Sequence, residues 1–108
     1  MERLHEIYED DREGIRDLLD LAVQMTQTHL DAISAAIEKH DAPGIRYAAH
    51  AIKGAASNVG AGETARLAAE LEYAASAARW DAIPAALAAL REGFARLAAS
   101  IAGFNREG

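Results

Sequence analysis

Apolar residues recur along this chain at alternating spacings of four and three, the rhythm of one buried helix face. Leu19, Val23, Thr26, Leu30, Ile33 and Ile37 form the first such seam. It predicts a helix from a cap at Asp11 to about Lys39, preceded by a short lead-in helix over residues 4–8. Asp41-Ala42-Pro43 restarts a helix, with Asp41 as the cap and Pro43 in the first turn, where its missing N–H is harmless. This second helix ends near Asn58, because Gly60 and Gly62 make a turn. A third runs from about Glu63 to Arg79, with Leu67, Leu71 and alanines 68, 74, 75 and 78 facing inward. Asp81 caps a fourth with Pro84 in its first turn and a seam of Ile83, Leu87, Leu90, Phe94, Leu97, Ile101 and Phe104. Residues 105–108 are expected to fray.

Four amphipathic helices joined by short turns predict an all-α protein, an antiparallel up-down-up-down four-helix bundle with a short N-terminal lead-in helix. Residues 1–108 are read as a single domain. The heptad on the last helix also suits a coiled-coil dimer. The other three helices need partners too, however, and find them within one chain, so a monomer is expected. Composition adds one point. The chain is 51% hydrophobic, and much of that is alanine, so the core will be thin and its helices close together.

The net charge of −6 argues against a basic nucleic-acid stripe and against an anionic membrane surface. The chain has no cysteine, which removes disulfides, thiol nucleophiles and thiolate metal sites. It has no apolar run of membrane-spanning length, and Met1 to Glu6 lacks the apolar stretch of a signal peptide, so a cytoplasmic protein is expected.

Candidate chemistry sits on the second helix. On a wheel of about 100° per residue, Ile45, Ala48, Ala49, Ala55, Ala56 and Val59 fall within about 60° of Ile52. His50 lies about 160° away, Gly54 about 160° on the other side and Ser57 about 140° away, with Arg46 and Lys53 near the border. His50 therefore faces solvent from the middle of a rigid helix. An exposed histidine or lysine alone is ordinary. Gly54 is not, because a helix-interior glycine costs ~0.5–1 kcal/mol relative to alanine. A chain this rich in alanine had the alternative to hand. On the polar face no neighbouring helix needs the space, so the missing side chain leaves room for something from outside. Neutral imidazole is a good nucleophile near neutral pH and its phosphoramidate passes the group on. Lys53 would supply a cation near added phosphoryl oxygens. The rest of an active site would have to come from a partner.

The segment His50-Ala51-Ile52-Lys53-Gly54-Ala55-Ala56-Ser57-Asn58-Val59-Gly60 resembles the signature of histidine phosphotransfer (HPt) domains: a histidine, lysine-glycine at +3 and +4, small residues, and glycine at +10. Leu67 to Glu72 is similar to that family's next helix, and the likeness spans nearly the whole chain. Ala55 and Ala56 stand where serines are common. The resemblance implies a phosphocarrier rather than an enzyme. His50 would accept a phosphoryl group from a receiver-domain aspartate, or from a (hybrid) histidine kinase, and pass it to a response-regulator receiver domain. It implies no cofactor of the chain's own, since Mg²⁺ belongs to the receiver.

Glu72 is a further candidate. His50 and Glu72 lie 11 residues either side of the turn at Ala61, which brings them to one height on antiparallel helices. Glu72 sits about 100° from Leu71, at the border of the buried face. The family resemblance agrees, since a polar residue of this helix commonly hydrogen-bonds the phosphoacceptor ring. Glu72 would hold the Nδ1–H tautomer and free Nε2; the alternative is an exposed glutamate paired with nothing. His5, His29 and His40 are scattered, and no metal site is assigned. Trp80 and Tyr73 read as packing residues, and Glu9-Asp10-Asp11 as a solvated helix start.

Two rivals stand beside this reading. The phosphoacceptor domain of a histidine kinase places an acidic residue after its histidine and a proline soon after. Here Ala51 follows, and the next proline is Pro84. No Gly-rich nucleotide-binding segment exists, so ATP is not expected to be used. The second rival is a helical adaptor that binds receiver or kinase domains without being phosphorylated.

Overall fold

A computed structural model describes residues 12–107. The expected lead-in helix, the Asp11 cap, the acidic run Glu9-Asp10-Asp11 and His5 lie outside the described residues. Four helices follow in order: α1 (Arg12–Glu38), α2 (Ala42–Asn58), α3 (Gly62–Ser76) and α4 (Ile83–Glu107). They form an antiparallel up-down-up-down bundle with no strand among the described residues.

The seams predicted from spacing are the ones that pack. Leu30 and Ile33 of α1, Ile45 and Ile52 of α2, Leu71 of α3 and Leu90 of α4 are almost completely buried. The buried faces of α2 and α3 are rich in alanine: Ala48, Ala49 and Ala56 on one helix, Ala68, Ala74 and Ala75 on the other. Methyl-sized side chains let two helices approach closely, and this pair shares the most extensive contact in the bundle. Gly93 of α4 serves the same end, because a Cβ there would come within 2.5 Å of Leu67 Cδ1.

α1 and α4 are 27 and 25 residues long, against 17 and 15 for α2 and α3, so the outer pair extends beyond the central hairpin. Their far end is tied by Arg12, whose guanidinium lies 4.7 Å from the Phe104 ring centroid. α4 runs through Glu107, where fraying from residue 105 was expected. At the opposite end the His40 and Trp80 rings meet at 4.2 Å and join the two turns there.

All three turns use one backbone device. The residue two past each helix end takes a positive φ, and two N–H groups fold back onto the last turn: His40 and Asp41 onto Ile37 and Ala36, Gly60 and Ala61 onto Ser57 and Ala56, Ala78 and Arg79 onto Ala75 and Ala74. Only one of the three is glycine, with φ 74° at Gly60 against 55° at His40 and 54° at Ala78. This explains a correction. The third helix stops at Ser76, three residues before the expected Arg79, because Ala78 adopts the left-handed conformation without the glycine that would announce it. Ala78 is exposed rather than inward-facing. Asp41 caps α2 as expected, its Oδ1 accepting from Gly44 N–H at 3.1 Å. Asp81 does not cap α4: the Arg79 carbonyl accepts from the N–H groups of Ala82 and Ile83, so a backbone turn starts that helix. Tyr73 is a further correction, being 67% exposed, because it lies about 200° from Leu71 on the wheel. Trp80 is half-buried and packs against the core.

An alanine forced to a positive φ is strained, and glycine is not. Ala78→Gly is therefore expected to stabilise the fold by about 0.5–1 kcal/mol, net of the extra freedom glycine gains on unfolding. Urea titration checks this.

Candidate functional site

His50 sits in the middle of α2, on the face opposite Ile52. Its side chain is 66% exposed, while Ala49 beside it is fully buried. Its Nδ1 lies 2.9 Å from Glu72 Oε2 on α3. Lys53 Nζ lies 3.0 Å from the other oxygen, Oε1. One carboxylate thus bridges two residues of the neighbouring helix, and the structure brings His50, Lys53 and Glu72 into one cluster.

Charge decides the tautomer. The Glu72 side chain is only 22% exposed. Burial pushes its carboxyl up, but hydrogen bonds and attraction from Lys53 and His50 outweigh that and hold it below its ordinary value of 4.5. The group is ionised at neutral pH and can only accept. Nδ1 must then carry the ring proton and donate it to Oε2. In the neutral ring, Nε2 is then the nitrogen that holds the lone pair.

Gly54 is exposed, and a Cβ built on it would meet nothing within 4 Å. It is not a packing glycine, in contrast to Gly93. Helix side chains tilt toward the N-terminus, so a side chain at position 54 would lean over His50, one turn before it. The bare position keeps the ring uncovered.

Two depressions lie on either side of α2, and His50 lines one of them. Toward α3, Pro43, Arg46, Tyr47, His50 and Glu72 line an open hollow of about 270 Å³. Toward α1, Leu18, Leu21, Ala22, Met25, Ala51 and Ala55 line an apolar groove of about 220 Å³, closed by Asn58 and Val59. Leu18, Leu21 and Met25 are 56%, 51% and 45% exposed, an unusual run of large apolar side chains on one helix. Sequence reasoning missed this groove, although spacings of three and four at 18, 21 and 25 mark a second stripe beside the core seam. It also missed the Lys53–Glu72 pair, since nothing in a helical wheel says where the tip of a lysine on one helix will end.

The remaining histidines stand apart. His29 and His40 lie on or after α1, and among the described residues no group of three or more His, Cys, Asp or Glu side chains could hold a metal ion. Nor, among those residues, is any helix long and apolar enough to cross a membrane.

Lys53→Ala removes one of the two groups that hold the Glu72 carboxyl down. Its titration midpoint, read by carbon NMR of the side-chain carboxyl, should rise relative to wild type. The sign follows from the lowered folded value. The cluster's contribution to stability is present above the ordinary value of 4.5 and is lost as pH falls through the folded midpoint, and the variant should lose it at higher pH.

Comparison with known proteins accords with this geometry. The sequence model of the family described as "Hpt domain" matches residues 17–100. No curated protein sequence matches the chain. Among solved structures, it is similar to the histidine-containing phosphotransfer protein B (HptB) of Pseudomonas aeruginosa PAO1, with 30% identity and a TM-score of 0.81 over 96% of this chain and 88% of that one.

Proposed function

The chain belongs to the Hpt domain family, and from that premise we propose that it is a phosphorelay intermediate in which His50 is the phosphoacceptor. The observation that carries this reading is the pairing of an exposed ring with a buried-side anchor. His50 offers Nε2 to solvent while Glu72 fixes the opposite nitrogen at 2.9 Å.

In the forward step the Nε2 lone pair attacks the phosphorus of a receiver's aspartyl phosphate. An N–P bond forms, the P–O bond to the aspartate breaks, and its electron pair leaves with the carboxylate. The Nδ1 proton stays on the ring, directed at Glu72, which stabilises the positive charge the ring acquires. Reversal onto another receiver's aspartate completes the relay. Lys53 orients Glu72 through its second oxygen, and Gly54 clears the approach. Mg²⁺ and the acidic pocket belong to the receiver, and a kinase domain is an alternative donor. The chain needs no nucleotide site for this and works as a cytoplasmic monomer. The apolar groove of Leu18, Leu21 and Met25 suits the docking of such a partner beside the ring.

That same groove favours a second reading, a helical adaptor that binds receiver or kinase domains without phosphoryl chemistry. Incubation with a receiver domain charged by acetyl phosphate, followed by intact mass, separates the two. A label stable in alkali and lost in acid supports the relay; no label from any receiver tested supports the adaptor. His50→Gln should abolish that label while leaving helicity and melting temperature within error of wild type, because the side chain is largely in solvent. A label on His5, His29 or His40 instead would overturn the assignment.

Two further variants divide fold from transfer. Gly54→Gln should match or slightly exceed wild-type stability, given glutamine's helix propensity and the open space, yet lose most transfer activity. Glu72→Ala should slow transfer and release the ring tautomer, seen in nitrogen NMR of His50, whereas Glu70→Ala, which breaks only the exposed pair with Arg66, should do neither.

A further inference from the structure

The cluster leaves an electrostatic question open. A phosphoryl group on Nε2 brings two negative charges to the surface, beside a carboxylate that is itself ionised. Lys53 is the obvious counter-ion, but its ammonium is already engaged with Glu72 Oε1 at 3.0 Å. Moving it to the phosphoryl group would strip Glu72 of one of its two partners.

Arg46 has no such commitment. It is exposed, and among the described residues it makes no hydrogen bond or ion pair. It lies one turn before His50 on α2, near enough to share a face. The N-terminal tilt of helix side chains carries the His50 ring toward the turn that holds Arg46 and Tyr47. The hollow on that side is lined by Arg46, Tyr47, Pro43 and Glu72 together with His50 itself. A guanidinium presents a planar fork of N–H donors that matches phosphoryl oxygens.

We propose that Arg46 is a second phosphoryl-contacting residue of this site, the cation that neutralises the group on His50 Nε2 within the hollow beside Tyr47, while Lys53 remains the partner of Glu72. This rests on the reading of His50 as the phosphoacceptor. It divides the two cations of α2 by role: one holds the anchor of the ring, the other receives the charge the ring takes up.

The test uses an equilibrium, because an overall transfer equilibrium between free proteins is blind to contacts made only in the docked complex. Wild type, Arg46→Ala, Arg46→Lys and Lys53→Ala are each equilibrated with one receiver domain charged by acetyl phosphate, and the phosphoryl distribution is measured at low and high salt. Arg46→Ala should shift the distribution away from His50 by about fivefold at low salt and by less at high salt, as for a surface charge pair. Arg46→Lys should recover part of that shift, and Lys53→Ala, which acts only through Glu72, should give a smaller shift than Arg46→Ala. In a partner-free check, loading with potassium phosphoramidate should displace the Arg46 Nε–H resonance in wild type and not in His50→Gln. An unchanged equilibrium in Arg46→Ala, even with a slower rate, would make Arg46 a docking residue and overturn the proposal. So would a larger shift in Lys53→Ala. Absence of any label on wild-type His50 is a different result, and it would sink the phosphoacceptor reading itself.

Discussion

The site depends on how closely α2 and α3 approach. The buried faces of the two helices carry six alanines, and small side chains bring the backbones near enough for a glutamate on one helix to reach a histidine on the other. Larger residues at Ala49 or Ala68 would push the helices apart by more than a hydrogen bond tolerates. A thin core is usually a weakness, because it buries little apolar area per residue. Here the same thinness brings the bridging carboxylate within reach, while the larger residues Leu30, Ile33, Ile52, Leu71 and Leu90 supply the burial that holds the bundle.

Glu72 occupies a position of opposed forces. Partial burial disfavours its charge, yet two donors from α2 overcome this and keep it ionised. An ionised carboxylate accepts only, so it selects one tautomer of the ring. A fully exposed glutamate would select weakly, and a fully buried one would risk taking up a proton and losing the selection. At 22% exposure the group is dry enough to bind firmly and wet enough to stay charged.

Two glycines on this fold show how one residue type answers different demands. Gly93 leaves room for a neighbour, since a Cβ there would meet Leu67 Cδ1 and make that side chain shift. Gly54 is required by nothing inside the molecule. Its cost to helix stability has no return within the described structure, where a Cβ would meet nothing within 4 Å. The groove along Leu18, Leu21 and Met25 likewise leaves large apolar side chains in water.

Much of this was legible in the sequence. The four seams and the outward face of His50 and Gly54 follow from helical period alone, and the Asp41 cap from its residue type ahead of Pro43. That period is local and repeats many times, so errors average out. The height match of His50 and Glu72 also follows, since antiparallel helices share one rise per residue. The helix ends were less legible: Ala78 and His40 took left-handed backbone without a glycine to mark it, because three residues of compact turn and the packing of Trp80 on His40 outweigh a local strain of about 1–2 kcal/mol. Tyr73 was misread as packing although the wheel already turned it outward. What only the tertiary structure decided is which side-chain tips meet. The bridge from Lys53 through Glu72 to His50, the uncommitted Arg46 and the groove between α1 and α2 each depend on the distance and rotation between two helices, and a one-dimensional pattern carries neither quantity.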